Sequence, residues 1–252
     1  MKNFAVETAQ QAGEILKKYY HQELEINTKS SDIDLVTQAD IESEKFIISA
    51  IHKQFPGHAI LAEETGQSGK SEYLWIVDPL DGTTNFAHKH PMFAVTISLV
   101  RHEEVMLGVT YDPLRDELFV AEKGKGATLN GQPISVSQIK EIHKALVATG
   151  FPYKRHIEPP PNIPELTRVM PNVQGIRRGG SAALDVAYVA CGRLDGYWES
   201  SLHLWDWIGG VLMVKEAGGI VTQMDGITWS MKSTTLVVGN PFIQPTLLKM
   251  VQ

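Results

Sequence analysis

Asp78-Pro79-Leu80-Asp81-Gly82-Thr83-Thr84-Asn85 places two carboxylates, a forced turn and two hydroxyls in eight consecutive positions. It follows Tyr73-Leu74-Trp75-Ile76-Val77, whose β-branched and aromatic content predicts a buried strand that delivers Asp78 at its carboxyl end. Open sheets bind ligands at that end. Pro79 has no amide hydrogen and is expected to stop the strand. Gly82 admits backbone angles that other residues avoid, so the amides of Gly82, Thr83 and Thr84 are expected to point at one anion. Two carboxylates this close repel one another when both are ionised, and a phosphate beside them adds to the repulsion unless cations neutralise the site. All-oxygen ligation suits Mg2+, Mn2+ or Ca2+ rather than Zn2+, with Mg2+ first because it binds through a few carboxylates plus substrate phosphate. The same residues also fit a turn that closes a loop, its carboxylates capping backbone amides.

Working outward, His58 to Ala62 reads as a second strand, and it ends in Glu63-Glu64. Neighbouring strands would bring these acids to Asp78. Asp206, in Trp205-Asp206-Trp207-Ile208-Gly209-Gly210, precedes an apolar helix, where it suits either an N-cap or a metal ligand. Ala5, Ala9, Ala12, Leu16 and Tyr19 mark one face of a first helix, and Thr37-Gln38-Ala39-Asp40 reads as a capping box, with Asp in the reciprocal position, opening a helix that Pro56-Gly57 ends. Strands are expected over Phe93 to Val100, Val105 to Tyr111 and Glu117 to Ala121, at hairpin-like intervals that imply an antiparallel or mixed sheet. After about residue 140 the pattern changes to alternation: strands at Ala145 to Thr149, Gly196 to Glu199, Ile220 to Gln223 and Leu236 to Val238, with helices near Ser181 to Cys191, from Asp206 to Ala217 and at the end. The expectation is one domain over 1–252 with two sheet-centred halves, 1–140 and 141–252. Glu158-Pro159-Pro160-Pro161-Asn162-Ile163-Pro164 reads as a semi-rigid surface loop.

The 252 residues suffice for a substantial core, and 43% apolar with 21% charged residues is ordinary for a soluble globular protein. A net charge of -6 without a Lys/Arg stripe argues against nucleic acid. No signal-peptide core is expected at the amino terminus, and no apolar run is long enough to span a bilayer. Cys191 is the only cysteine; it excludes an intrachain disulfide, fits a reducing cytoplasm, and lies in an apolar helical stretch as a small core residue.

Four motifs, Asp34-Leu35-Val36-Thr37-Gln38-Ala39-Asp40, Ala62-Glu63-Glu64, Asp78 to Phe86, and Trp205-Asp206 followed by Glu216-Ala217-Gly218-Gly219, together resemble the inositol monophosphatase family. They occur in the family's order and cover nearly the whole chain. The resemblance implies a mixed α/β fold, a layered α/β/α/β/α sandwich of the inositol monophosphatase and fructose-1,6-bisphosphatase type. It also implies Mg2+-dependent hydrolysis of a phosphate monoester, with two or three ions and Mn2+ as a substitute. By the same resemblance Glu63, Asp78, Asp81 and Asp206 bind metal together with the Leu80 carbonyl. Thr83 helps to activate the attacking water and Asp40 supports it, while the amides of Gly82 and Thr83 hold phosphate. Ser181, Ala182, Glu199 and His203 wall the substrate alcohol. A homodimer and sensitivity to Li+ complete what it implies, while the cysteine, charge and hydropathy readings give the expectation of a cytoplasmic location without membrane or nucleic-acid partners. Trp205 and Trp207 read as packing residues, Arg177 and Arg178 are unassigned, and the polar Lys29-Ser30-Ser31-Asp32 suits either a flap over the metals or an ordinary loop.

Leu80-Asp81-Gly82-Thr83 also matches the end of the Asp-x-Asp-Gly-Thr motif of haloacid-dehalogenase-type phosphatases. The nucleophile position there falls on Pro79, which cannot form an aspartyl phosphate. Glu199-x-x-x-His203-x-x-Asp206 favours an inositol-phosphatase-like site, and inositol monophosphate is the expected substrate. Fructose 1,6-bisphosphate, NADP phosphate and 3'-phosphoadenosine 5'-phosphate stay open as alternatives, as does a non-catalytic regulatory role on the same fold.

Overall fold

The computed structural model describes residues 1–22, 26–28, 35–152 and 161–252. Residues 29–34, which include Asp34 and the polar stretch considered as a flap, and Glu158-Pro159-Pro160 lie outside the described residues. Strands β1 (Ile26–Thr28) and β2 (Leu35–Thr37) form a small antiparallel pair. The next eight, β3 (Ala59–Ala62), β4 (Gly66–Ser68), β5 (Tyr73–Asp81), β6 (Ala94–Arg101), β7 (Glu104–Asp112), β8 (Glu117–Glu122), β9 (Ala127–Leu129) and β10 (Gln132–Pro133), build a sheet in the order 10-9-8-7-6-5-3-4. A five-stranded sheet in the order 12-11-13-15-14 contains β11 (Leu146–Thr149), β12 (Gly175–Arg177), β13 (Gly196–Ser200), β14 (Ile220–Thr222) and β15 (Thr235–Gly239). Among the described residues seven α-helices cover these sheets: α1 (Lys2–Tyr20), α2 (Gln38–Gln54), α3 (Thr83–Ala87), α4 (Ile163–Val169), α5 (Ala182–Ala190), α6 (Leu204–Glu216) and α7 (Gln244–Val251).

The layers follow from which helix faces are apolar. Ala5, Ala9, Ala12 and Leu16 of α1 are buried with Ile47 and Ile51 of α2 against one face of the large sheet. Helices α5 and α6 fill the space between the sheets. Their burial is nearly continuous, from Ala183 to Ala187 in α5 and from Trp207 to Val214 in α6, as a helix enclosed on both sides requires. Helices α4 and α7 cover the far face of the small sheet through Val169, Leu247 and Val251. The result is the α/β/α/β/α sandwich. Gly108 of β7 lets α6 approach: a Cβ there would stand 2.5 Å from the Gly209 carbonyl oxygen and 2.7 Å from its Cα. At the other end of α6, the Glu216 carboxylate accepts the amides of Gly124 and Gly126 at 2.8 Å each and fastens the helix to the β8–β9 turn.

Several expectations need correction. Strand β5 does not stop before Pro79 but runs through it to Asp81, because the ladder with β6 slips by one residue there, Asp78 facing Thr96 and Asp81 facing Ala94. At such a bulge no amide hydrogen is demanded of the proline. The proline-rich segment is partly helical, since Ile163 and Pro164 already belong to α4, with Asn162 as its N-cap. Helix α6 starts at Leu204 with His203 as its N-cap, so Asp206 sits inside the first turn at the third helical position and caps the helix from there, its carboxylate accepting the His203 amide. Cys191 is only half-buried, at the end of α5; its thiol lies 3.6 Å from the Tyr188 carbonyl oxygen, and burial raises its pKa. The capping box at Thr37 and Asp40 is present as expected. No described helix is long and apolar enough to cross a membrane.

Candidate active site

Strands β3 and β5 are parallel neighbours, with Ala62 paired to Val77, so Glu63, just past the end of β3, comes beside Asp78 within β5. The Glu63 amide still donates to the Val77 carbonyl at 3.2 Å. The bulge then turns Asp81 toward the start of α5, where its Oδ2 accepts the Ser181 hydroxyl and, at 2.9 Å, the Ala183 amide. Asp206 comes in from the first turn of α6, held by the His203 amide at 2.7 Å. Three separate segments thus converge on a cavity of ≈ 330 Å3. Its walls include Glu63, Asp78, Leu80, Asp81, Gly82, Thr83, Ser181, Ala182, Glu199, His203 and Asp206, which is every residue expected at the site except Asp40.

Asp40 stands one layer behind. It is fully buried; its Oδ2 accepts the Thr37 amide at 2.8 Å and the Thr37 hydroxyl at 2.6 Å, and its Oδ1 lies 3.1 Å from the Thr83 hydroxyl. The Leu80 carbonyl oxygen is also 3.1 Å from that hydroxyl. Thr83 has one proton for two acceptors, so a Leu80 carbonyl engaged elsewhere leaves Thr83 donating to Asp40 with its own lone pairs available. Gly82 has φ 94, a left-handed angle, and a Cβ there would meet the Met92 carbonyl oxygen at 3.0 Å; both facts favour glycine at the start of α3. Asn85 ties this loop to the opposite wall, its amide donating to the Met92 carbonyl at 2.7 Å and the Gly179 carbonyl at 3.0 Å.

The acids share one electrostatic predicament. Burial raises the Asp78 pKa well above the carboxylate range, and the charges of Glu63, Asp81 and Asp206 add to it, with a hydrogen bond to Glu63. Asp206 is raised in the same way, by burial first and then by Asp81 and Glu63. Asp81 is pushed up to about 6 by burial, although the Ser181 hydroxyl and the Ala183 amide pull it down. Such a cluster needs protons or a cation to offset its charge. No three His, Cys, Asp or Glu side chains among the described residues stand in ligating geometry as they are placed here. The acids are instead tied to protein donors, Asp81 to the Ala183 amide and Asp206 to the His203 amide. The donor set is all oxygen, which fits a hard divalent cation.

The model of the inositol monophosphatase family matches residues 1–252. The chain belongs to the inositol monophosphatase family. It is 45% identical over 223 residues to an inositol-1-monophosphatase of Synechocystis sp., covering 88% of this chain and 78% of that one. It is 40% identical over 252 residues to the Nus factor SuhB of Escherichia coli, covering 98% and 94%. The crystal structure of the extragenic suppressor protein SuhB of Bartonella henselae superposes with a TM-score of 0.95 at 41% identity, over 100% of this chain and 98% of that one. As a member of this family the chain is a phosphatase enzyme.

Within this inositol monophosphatase-family chain, several wall residues escaped the sequence reading, Asp185 and Gly150 among them. Asp185 lines the cavity, nearly fully buried, its pKa raised well above normal by burial and by Asp81 and Glu199. A lone acid inside Ala182-Ala183-Leu184-Asp185-Val186-Ala187 was the available signal. Gly150 also lines it, and a Cβ there would overlap the Glu199 carboxylate. Arg178, left unassigned, is the one Arg or Lys among the described lining residues. Trp205 is half-buried and stacks on His203 with ring centroids 4.9 Å apart, whereas Trp207 is a core residue as expected.

Proposed function

We propose that this phosphatase hydrolyses a small phosphate monoester, inositol monophosphate before other substrates, by in-line attack of water without a covalent enzyme intermediate. The observation that carries this reading is the convergence of Glu63, Asp78, Asp81 and Asp206 from three segments on one cavity in which their charges cannot stand uncompensated. With the Leu80 carbonyl they are the residues to hold Mg2+, as two or three ions with Mn2+ as a substitute. When bound, the ion neutralises phosphate and leaving alkoxide and lowers the pKa of water. The chain's own groups do the positioning. Asp40 takes the Thr83 proton as a hydrogen bond, so the Thr83 oxygen accepts one from the attacking water and aims it. Glu63 receives the proton that water sheds. The Gly82 and Thr83 amides hold phosphate oxygens, and Ser181, Ala182, Glu199 and His203 face the alcohol.

Phosphate release from inositol monophosphate, fructose 1,6-bisphosphate, NADP and 3'-phosphoadenosine 5'-phosphate, titrated with Mg2+, tests the reading. Release that depends on Mg2+, is greatest for inositol monophosphate and is lost in Asp81→Asn is expected; no Mg2+-dependent release from any substrate would refute it. Li+ added to the same assay is expected to inhibit, and light scattering to give a dimer.

The Escherichia coli relative named a Nus factor favours a second reading, in which the fold carries an interaction role beside the phosphatase site. Complementation of a strain lacking that relative by the Asp81→Asn chain would support it; dependence on an intact site would count against it.

A further inference from the structure

Helix α2 turns a polar face into the protein. Asp40, Ser43 and Glu44, spaced by three and four, are 0%, 0% and 1% exposed. Buried polar groups at these positions are costly unless each finds partners, and here two reach the Asp78 to Asn85 stretch and the third reaches the turn after β3. Asp40 meets Thr83. The Ser43 hydroxyl donates to the Pro79 carbonyl at 3.0 Å, between Asp78 and Leu80. The two Glu44 carboxylate oxygens accept separately, Oε2 from the Glu64 amide at 2.8 Å and Oε1 from the Thr65 amide at 2.9 Å.

We propose that Glu44 is a positioning residue that sets the Glu63 carboxylate for cation binding by clamping the two amides that follow it. The inference rests on the reading of Glu63 as a ligand. Glu63 leaves β3 where its pairing with β5 ends, the Glu63 amide to the Val77 carbonyl being the final bond. Beyond it the chain must turn within Glu63-Glu64-Thr65 to enter β4, and Thr65 is exposed. Two charge-assisted bonds from one buried side chain replace the ladder there. Only a carboxylate serves: a carboxamide has one acceptor oxygen, and its NH2 group would face an amide N–H. Partners that orient a metal ligand are worth ~10- to 100-fold in metal affinity.

Binding of Mn2+, read from the loss of the free-ion electron paramagnetic resonance signal with Mg2+ as competitor, decides the matter in the whole chain. Glu44→Gln is expected to weaken Mn2+ about tenfold or more. Glu44→Asp, which keeps the charge but withdraws it by one methylene, is expected to weaken Mn2+ about three- to tenfold. In a Glu63→Ala background Glu44→Gln is expected to cost no further affinity, because its effect passes through Glu63. A folded Glu44→Gln protein with wild-type affinity overturns the proposal, even if its melting temperature has dropped. So does an undiminished loss in the Glu63→Ala background, which would mark a long-range charge effect. If Glu44→Gln does not fold, Glu44→Asp decides by the same measure, and wild-type affinity there overturns the proposal. Failure of the wild-type chain to bind either ion would instead refute the ligand reading itself and the inference with it.

Discussion

Gly150→Ala probes the substrate wall where it has no spare room. Gly150 follows β11 and lies against Glu199, so a Cβ would stand closer than 3.0 Å to both carboxylate oxygens and to the carboxyl carbon. Relief requires the carboxylate to retreat by about 1 Å. It cannot do so freely, because Glu199 is 9% exposed and accepts the hydroxyl of Tyr197, which is 0% exposed. The retreat breaks that bond and strands a buried donor, at a cost of roughly 1–3 kcal/mol, which for a chain of this size lowers Tm by about 2–6 °C. A positioning error of this size costs about 100-fold in rate, so kcat/KM for inositol monophosphate is expected to fall about 100-fold, or roughly 2.7 kcal/mol of transition-state stabilisation. p-Nitrophenyl phosphate has no polyol hydroxyl for Glu199 to receive, and its kcat/KM is expected to change less than about threefold. Steady-state kinetics with both substrates at saturating Mg2+ make the comparison. A folded variant within about threefold of wild type on inositol monophosphate, or with equal losses on both substrates, would refute the reasoning.

Thr83→Ala removes the hydroxyl between Asp40 and the cavity and is expected to lower kcat by about 10²- to 10⁴-fold with little change in KM, while Thr83→Ser keeps most activity; an unchanged kcat in the alanine variant contradicts the role given to Thr83. Gly108→Ala drives a methyl group into the backbone of α6 at Gly209, so urea unfolding is expected to show a loss of about 2–3 kcal/mol, and an unshifted midpoint would show that the α6 contact yields. His58 accepts the Trp75 indole N–H at Nδ1, 3.0 Å away, and is stacked between Phe55 and Tyr73. Burial lowers its pKa from 6.5 against the opposing charge of Glu72. Because the folded pKa lies below the unfolded one, the contribution is whole above pH ~6.5 and shrinks as the pH falls through that value toward the folded pKa. Wild type is therefore expected to lose stability relative to His58→Gln between about pH 7.5 and 5.5 in urea titrations, and a difference that does not vary with pH would refute the assignment.

Much of the site was legible because its chemistry is concentrated in contiguous runs. Asp78 to Asn85 carries its own strand, turn and hydroxyls, and Thr37 to Asp40 carries a local capping pattern that the structure retains. The helices α1, α2, α5 and α6 announce themselves through apolar spacing. Short strands such as β4, β9 and β12 do not, since three residues hold no period and pairing alone makes them strands. Pro79 misled for a related reason: its missing amide hydrogen matters only if the ladder asks for one, and the bulge removes the request.

Residue type and order alone determined that this chain carries clustered carboxylates, proposed above as oxygen ligands, on a phosphatase-like loop, because those properties are local and covalent. Tertiary structure decided which buried polar groups those ligands lean on. That Glu44 reaches past Glu63 to the next two amides, that Asp81 ties the loop to the start of α5 102 residues onward at Ala183, and that Glu199 occupies the space above Gly150 are facts of packing between distant segments. No periodicity or spacing encodes them, because the partners meet only when two sheets and three helical layers close around one cavity.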